Sequence, residues 1–331
     1  MKWKDYVWPV VGLAAVAFSG WMLYNELRGI SASDVLDGFA AIPPQHWMMA
    51  AFGALMAYAA LAGYDHIALT HIGKPLPWWY VTLCSFTTYA LSHNIGGSVV
   101  SGAVIRYRAY GSRGLTGHEV GVLVALCWLT FVLSTILVAG LVFVVQPELA
   151  ERFVDLEAVP VTLSATTGVV LLAVVALYVA GSLFGFRPLR IGSFRLDYPR
   201  PPIVLRQLTI GPIELIGAAS IVYFALPDAG NPGFVTVLGV FLIAFSVASA
   251  THAPGGIGVF ELVALAGLPD MDKASVLAAL LVFRLFYLII PLILGIVVVV
   301  LFERSQFAGR RAAPPQVPPR VPPRVAPTDD D

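Results

Sequence analysis

From Val120 to Val145 the chain passes without a single charged residue. That run is longer than the ~20 residues an α-helix needs to cross the hydrocarbon core of a bilayer. Lipid offers no partner to backbone N–H and C=O groups, so the run has to satisfy them internally, as a helix does. Further apolar segments recur at 6–26, 47–71, 79–92, 161–183, 203–226, 233–250 and 274–302. Composition agrees: 12% of the residues are charged, about half the ~25% of soluble domains, and 58% are apolar. The sequence reads as an all-α polytopic membrane protein, formed by one transmembrane domain over residues 1–305.

The charges are sorted along the chain. If Lys2, Lys4, Lys74, Arg106, Arg108, Arg113, Arg187, Arg190, Arg195, Arg200, Arg206, Arg304, Arg310, Arg311, Arg320 and Arg324 share one side, that side holds 16 of the 20 basic residues. By the positive-inside rule it is the cytoplasm, with both termini there. Opposite loops carry Glu148, Glu151, Asp155, Glu157, Asp228, Asp270 and Asp272. Trp3, Trp47, Trp78 and Trp79 stand at span ends, where interfacial anchors belong. The run 6–26 is longer than a signal-peptide core and is expected to remain as a helix.

Eight ordinary spans would not place both basic loops on one face. The sorting works if 79–106 and 233–268 dip into the membrane and return, leaving six full transmembrane helices and two re-entrant hairpins. The expected tips are marked by two similar stretches, Ser92-His93-Asn94-Ile95-Gly96-Gly97 and Thr251-His252-Ala253-Pro254-Gly255-Gly256. His93 and His252 are 159 positions apart (252 − 93), and the same shift lays 6–26 on 165–185, 47–71 on 206–230 and 119–146 on 278–305. Halves at about 1–146 and 161–305 would then be inverted copies, an arrangement whose sites lie at the midplane between broken helices. Glycine pairs let the chain reverse, and Pro254 stops its helix by removing a donor.

Two charges fall deep in spans. Glu214 is about 16 Å into 203–226 and Arg284 about 15 Å into 274–302, at ~1.5 Å per residue. An intramembrane charge costs at least ~2.5–3.5 kcal/mol, so each should face inward to a partner. They would either pair with one another or form a binding site, with Arg284 gripping an anionic headgroup and Glu214 or Glu261 as its counter-ion. His93, Asn94 and His252 join the site as candidate substrate-binding groups, and the hydroxyl-rich first hairpin is expected to line a cavity. Arg106 and Arg108 would form a cytoplasmic rim that collects phosphate, and Asp65 with His66 a solvated cap. Cys84 and Cys127 lie in apolar segments and suggest neither a disulfide nor a metal site. No GxxxxGK[ST] stretch occurs, so no nucleotide cofactor is expected, nor a nucleic-acid partner.

"APGGIGVFE", Ala253 to Glu261, resembles the signature of the lysylphosphatidylglycerol synthetase transmembrane-region family. "HNIGGSVVSGAVIRYR", His93 to Arg108, looks like its first-half counterpart, though without the proline often found before the glycine pair. The resemblance covers about residues 5–305. It implies a flippase-like membrane domain that handles lipid headgroups, here without the cytoplasmic synthetase of the two-part members. Residues 306–331 repeat Val-Pro-Pro-Arg and should form a disordered, Pro-rich cytoplasmic tail, a spacer or a ligand for a partner's aromatic groove.

The expectation is therefore an inner-membrane lipid translocator and not an enzyme. Its substrate would be an anionic or aminoacylated phospholipid headgroup, passed through a midplane cavity. Two rivals stand beside it: a membrane-embedded transferase using Glu261 or His252 as base, and a docking partner of a lipid-modifying enzyme. Ala50, Gly53, Ala54 and Ala57 form a small-residue stripe that would suit helix contacts within one chain or between copies in a homo-oligomer.

Overall fold

The computed structural model describes residues 31–95, 98–153, 165–186, 189–191, 194–196, 198–251 and 254–312. The first expected span, 6–26, lies outside them, as do the first tip's Gly96 and Gly97, His252 of the second tip, and the tail from 313.

A short helix α1 (Ala32–Ala41) opens the described chain. Ser31 accepts from the Asp34 N–H while the Asp34 carboxylate takes the Ser31 N–H, so the helix start is capped from both sides. The first half continues with α2 (Pro44–Ile72), α3 (Trp78–Ile95), α4 (Ser98–Gly111) and α5 (Gly117–Val145). A 3-10 turn at Pro147–Phe153 closes it. The second half runs through α6 (Ala165–Leu183), α7 (Pro201–Ala225), α8 (Phe234–Ala250) and α9 (Val259–Gly267). It then passes through α10 (Lys273–Phe283), a π-helical turn at Arg284–Ile289, and α11 (Ile290–Ala312). Among the described residues, five stretches are long and apolar enough to cross a membrane: Pro44–Ile72, Gly117–Val145, Ala165–Leu183, Pro201–Ala225 and Lys273–Phe302. They coincide with five of the six expected spans. The protein is a multi-pass, helical membrane protein.

Two features were not expected. Between α6 and α7 the chain forms a two-stranded antiparallel ladder, β1 (Leu189–Ile191) with β2 (Phe194–Leu196). And α11 continues to Ala312, past the boundary expected at 305.

Both expected hairpins are present as paired helices: α3, ending at Ile95, packs on α4, which begins at Ser98, and α8 packs on α9 across the Pro254–Gly256 turn. The second half also repeats the contacts of the first. Helix α2 touches α3 and α5 as α7 touches α8 and α10; α4 lies on α5 as α9 lies on α10; α3 meets α11 as α8 meets α5. The centre of this repeat is the crossing of α2 with α7, which has no room for side chains. A Cβ on Gly217 would stand 2.8 Å from the Gly53 carbonyl oxygen, and one on Gly53 would stand 2.8 Å from that of Gly217. The Gly53 and Ala57 stripe is thus spent on a contact within the chain. Outward faces stay apolar, as lipid requires: Val169, Val170 and Leu177 on α6, and Ile293, Val297 and Leu301 on α11.

Candidate functional site

The second hairpin turns on glycines that no other residue replaces without strain. Gly255, Gly256 and Gly258 have φ of 60°, 63° and 83°, in the left-handed region. Three residues into α9, Glu261 folds back. Its Oε2 takes the Gly258 N–H at 2.8 Å, capping the helix start, where a negative charge also meets the positive end of the helix dipole. Its Oε1 takes the Nε of Arg284 at 2.5 Å, and Nη2 stands beside the same oxygen without the alignment of a hydrogen bond. Nη1 donates to the Gly255 carbonyl at 3.0 Å. Arg284 thus ties the hairpin tip to the last transmembrane stretch, and it remains 13% exposed.

Arg284 also begins the π turn, which ends two residues before Pro291. Proline has no N–H, so the Tyr287 carbonyl four residues earlier has no helical donor. The Tyr58 hydroxyl supplies one at 2.9 Å, reaching across from α2. The next carbonyl, Leu288, accepts from Asn94 Nδ2 at 3.2 Å, at the tip of the first hairpin. The Pro254–Gly256 turn also lies against α3. Both hairpin tips therefore converge on one irregular turn, a feature often found at functional sites.

Beneath the turn sits Glu214, 2% exposed. Tyr287 donates to its Oε1 at 2.6 Å, and Tyr64 points at Oε2 from 3.5 Å. The ring of His93 stacks on Tyr287, centroids 5.3 Å apart and 14° from parallel, and the Tyr89 ring is tilted against it at 5.5 Å. His93 Nδ1 is buried and lacks a hydrogen-bond partner.

A second ion pair lies at the first hairpin. Arg106 of α4 forks onto Asp65 of α2, with Nε at 3.0 Å and Nη2 at 2.6 Å. Asp65 also accepts from the Tyr110 hydroxyl at 2.7 Å and the Cys127 thiol at 3.4 Å. Asp65 is 0% and Arg106 4% exposed, and the guanidinium lies over the Tyr89 ring at 4.8 Å. A fork of this kind is the strong form of carboxylate pairing.

Several expectations change. Arg106 is not a rim residue, and Asp65 is not a solvated cap; each is buried because the other is there. Glu214 and Arg284 do not pair, since Glu261 on the shorter hairpin arm reaches the guanidinium. The hydroxyls of Ser85, Thr87 and Thr88 do not line a cavity: they donate to the carbonyls of Leu61, Leu83 and Cys84. The fold does gather Arg284, Glu261, Glu214, Asn94, His93 and Gly255 around the π turn. The roles of Tyr58, Tyr64, Tyr89, Tyr110 and Tyr287 were not foreseen. Asp65 had a readable signal, as an acid inside an apolar run must find a cation.

Beside this centre, a lateral apolar groove of about 610 Å³ opens between α2, the end of α7 and the start of α8, lined by Met48, Phe52, Met56, Ile216, Tyr223 and Phe234. Ile216 is two residues from Glu214, so the groove meets a different face of α7 from the one that carries Glu214.

Residues 10–295 match the family described as the lysylphosphatidylglycerol synthase TM region. The chain belongs to that family. Among family relatives, an uncharacterized protein of Synechocystis sp. is 30% identical over 285 residues, covering 85% of this chain and 87% of its own length. The Escherichia coli inner membrane protein YbhN is 31% identical over 254 residues, covering 75% and 77%. A Staphylococcus aureus phosphatidylglycerol lysyltransferase is 26% identical over 285 residues, which is 83% of this chain but 31% of that protein. The match to the lysyltransferase is thus confined to part of a longer chain.

Proposed function

We propose that this family member is an inner-membrane lipid translocator, which moves a phospholipid headgroup across the bilayer between its two hairpins. The observation that carries this reading is the convergence of both tips on the π turn, over a buried cluster of ionisable groups. Irregular backbone at membrane depth is tolerated only inside protein or beside a wet cavity, and repeat-related broken helices are where transporters hold their substrates. An inner-membrane relative and a relative named for a phospholipid support the setting and the substrate class. With Asp65, Arg106 and Glu214 nearly inaccessible, the conformation described is an occluded one, and headgroup entry requires the tips to part. The acyl chains would rest in the groove between α2 and α7.

Charge narrows the headgroup. The described core holds three carboxylates, Asp65, Glu214 and Glu261, against two guanidiniums, Arg106 and Arg284, each already paired. The unmatched group is Glu214, so an amine-bearing headgroup fits better than a purely anionic one.

The test is transbilayer movement of headgroup-labelled phosphatidylglycerol, phosphatidylethanolamine and aminoacylated phosphatidylglycerol in liposomes holding the purified chain. Movement should exceed that of protein-free vesicles, favour the amine-bearing lipids, and fall at least about tenfold in Arg284→Ala, an effect of ~1.4 kcal/mol or more. Folded protein that moves none of the three would overturn the reading.

A further inference from the structure

Among the described residues, two of the three buried carboxylates in the core are locked by arginine and one is not. Asp65 accepts a fork from Arg106, and Glu261 holds Arg284. Glu214 touches only the hydroxyls of Tyr287 and Tyr64. The elements packed against α7 supply it with no free cation. Helix α2 offers Tyr58 and Tyr64, its Asp65 being turned to Arg106. Helix α5 brings Cys127, bonded to Asp65, with Thr130 and Ser134. Helix α6 brings Tyr178, bonded to Gln207. Helix α8 has no titratable residue, and α10 has only Lys273, at its first position. The π turn contributes Tyr287 and Arg284, the latter committed to Glu261 and Gly255.

A lone carboxylate in such surroundings is strongly disfavoured in its charged form. Its tyrosine partners suit either state, because a phenol donates to a carboxylate and accepts from a carboxylic acid, whereas arginine can only donate. The geometry points to Glu214 as a reversible proton-binding site at the centre of the membrane domain. Its occupancy sets how Tyr287 is held, and Tyr287 belongs to the turn on which both hairpin tips rest. His93, stacked on Tyr287 with Nδ1 buried and unbonded, stands next to it at the first tip as a second group able to carry a proton. Resting on the translocator reading, the site also couples headgroup binding to release of a proton. An ammonium headgroup that reaches Glu214 replaces its proton, so one positive charge leaves the carboxylate as another arrives.

Infrared difference spectroscopy on the full chain in liposomes tests proton binding without any transport readout. At about pH 6 wild type should show a protonated-carboxyl band. Glu214→Gln should lack that band and Glu261→Gln should keep it. In wild type alone the band should lose more than about half its area as the pH rises to ~9, a measurement that depends on no variant folding. No such band at about pH 6, or a band unchanged by Glu214→Gln in folded protein, overturns the assignment. A titrating Glu214 band in protein that moves no lipid would sink the translocator reading and leave the proton site standing; lipid movement without the band does the reverse.

Discussion

Replacing Asp65 by alanine should be among the most damaging substitutions in the first half of the protein. Asp65 is fully buried and takes four donors: two nitrogens of Arg106, the Tyr110 hydroxyl and the Cys127 thiol. Alanine leaves the Arg106 guanidinium uncompensated at 4% exposure, and breaking a buried pair from one side costs ~3–5 kcal/mol. The stranded Tyr110 hydroxyl adds ~1–3 kcal/mol on the scale of buried unsatisfied groups. Partners found in the unfolded chain within the bilayer reduce both, so a net loss of about 4 kcal/mol is expected. At ~2–4 °C per kcal/mol, that is a fall of about 8–16 °C in melting temperature. Thermal denaturation of purified protein in detergent, followed by size-exclusion of the surviving fraction, measures it. The decisive companion is Asp65→Leu with Arg106→Met, which removes both charges and should recover at least about half of the loss. An alanine variant within ~1 °C of wild type would refute the ion-pair account. So would a double variant as unstable as the single one, since the damage would then come from packing and not from the orphaned charge.

Other consequences are equally specific. Gly217→Ala should force α2 and α7 apart, because its Cβ would sit 2.8 Å from the Gly53 oxygen and 2.9 Å from the Ala57 nitrogen; a loss of ~1–3 kcal/mol is expected by thermal denaturation. Gly255→Ala meets no clash, its nearest atom being Arg284 Nη1 at 3.6 Å, so its cost is the left-handed backbone alone, ~1–2 kcal/mol, and proteolysis rates at the second hairpin should rise by about tenfold or more. Tyr58→Phe leaves the Tyr287 carbonyl without a donor and should cost ~0.6–1.5 kcal/mol. In a Pro291→Ala background that cost should shrink, because residue 291 regains its N–H; an undiminished cost would disconnect the Tyr58 bond from the proline. Asp272→Ala removes the cap on Ser275 N–H at the start of α10 and should lower stability by ~1 kcal/mol.

Much of the architecture was legible from residues alone, because the bilayer permits few solutions. A run such as Val120–Val145 can only be a spanning helix, and α5 covers it. The hairpins could be inferred from charge sorting, since a re-entrant segment changes which loops share a face. Pro254 and the glycines after it foretold the second break, as the positive φ values of Gly255, Gly256 and Gly258 require. Such statements concern one stretch of chain and one solvent, so local sequence carries them.

Which charge meets which was a different matter. Glu214 and Glu261 were both open as counter-ions of Arg284, and nothing in their spacing chose Glu261 or said that tyrosines would hold Glu214. Asp65, an acid inside an apolar run, called for a cation, but only the packing chose Arg106 and buried both. Pair energies in a low-dielectric interior depend on separations of a few ångströms between residues 23, 41 or 73 positions apart. Among the described residues, the sequence determined which stretches must cross and where the second hairpin must break. The tertiary fold decided that both breaks meet at one turn, and that one carboxylate there is left without a cation.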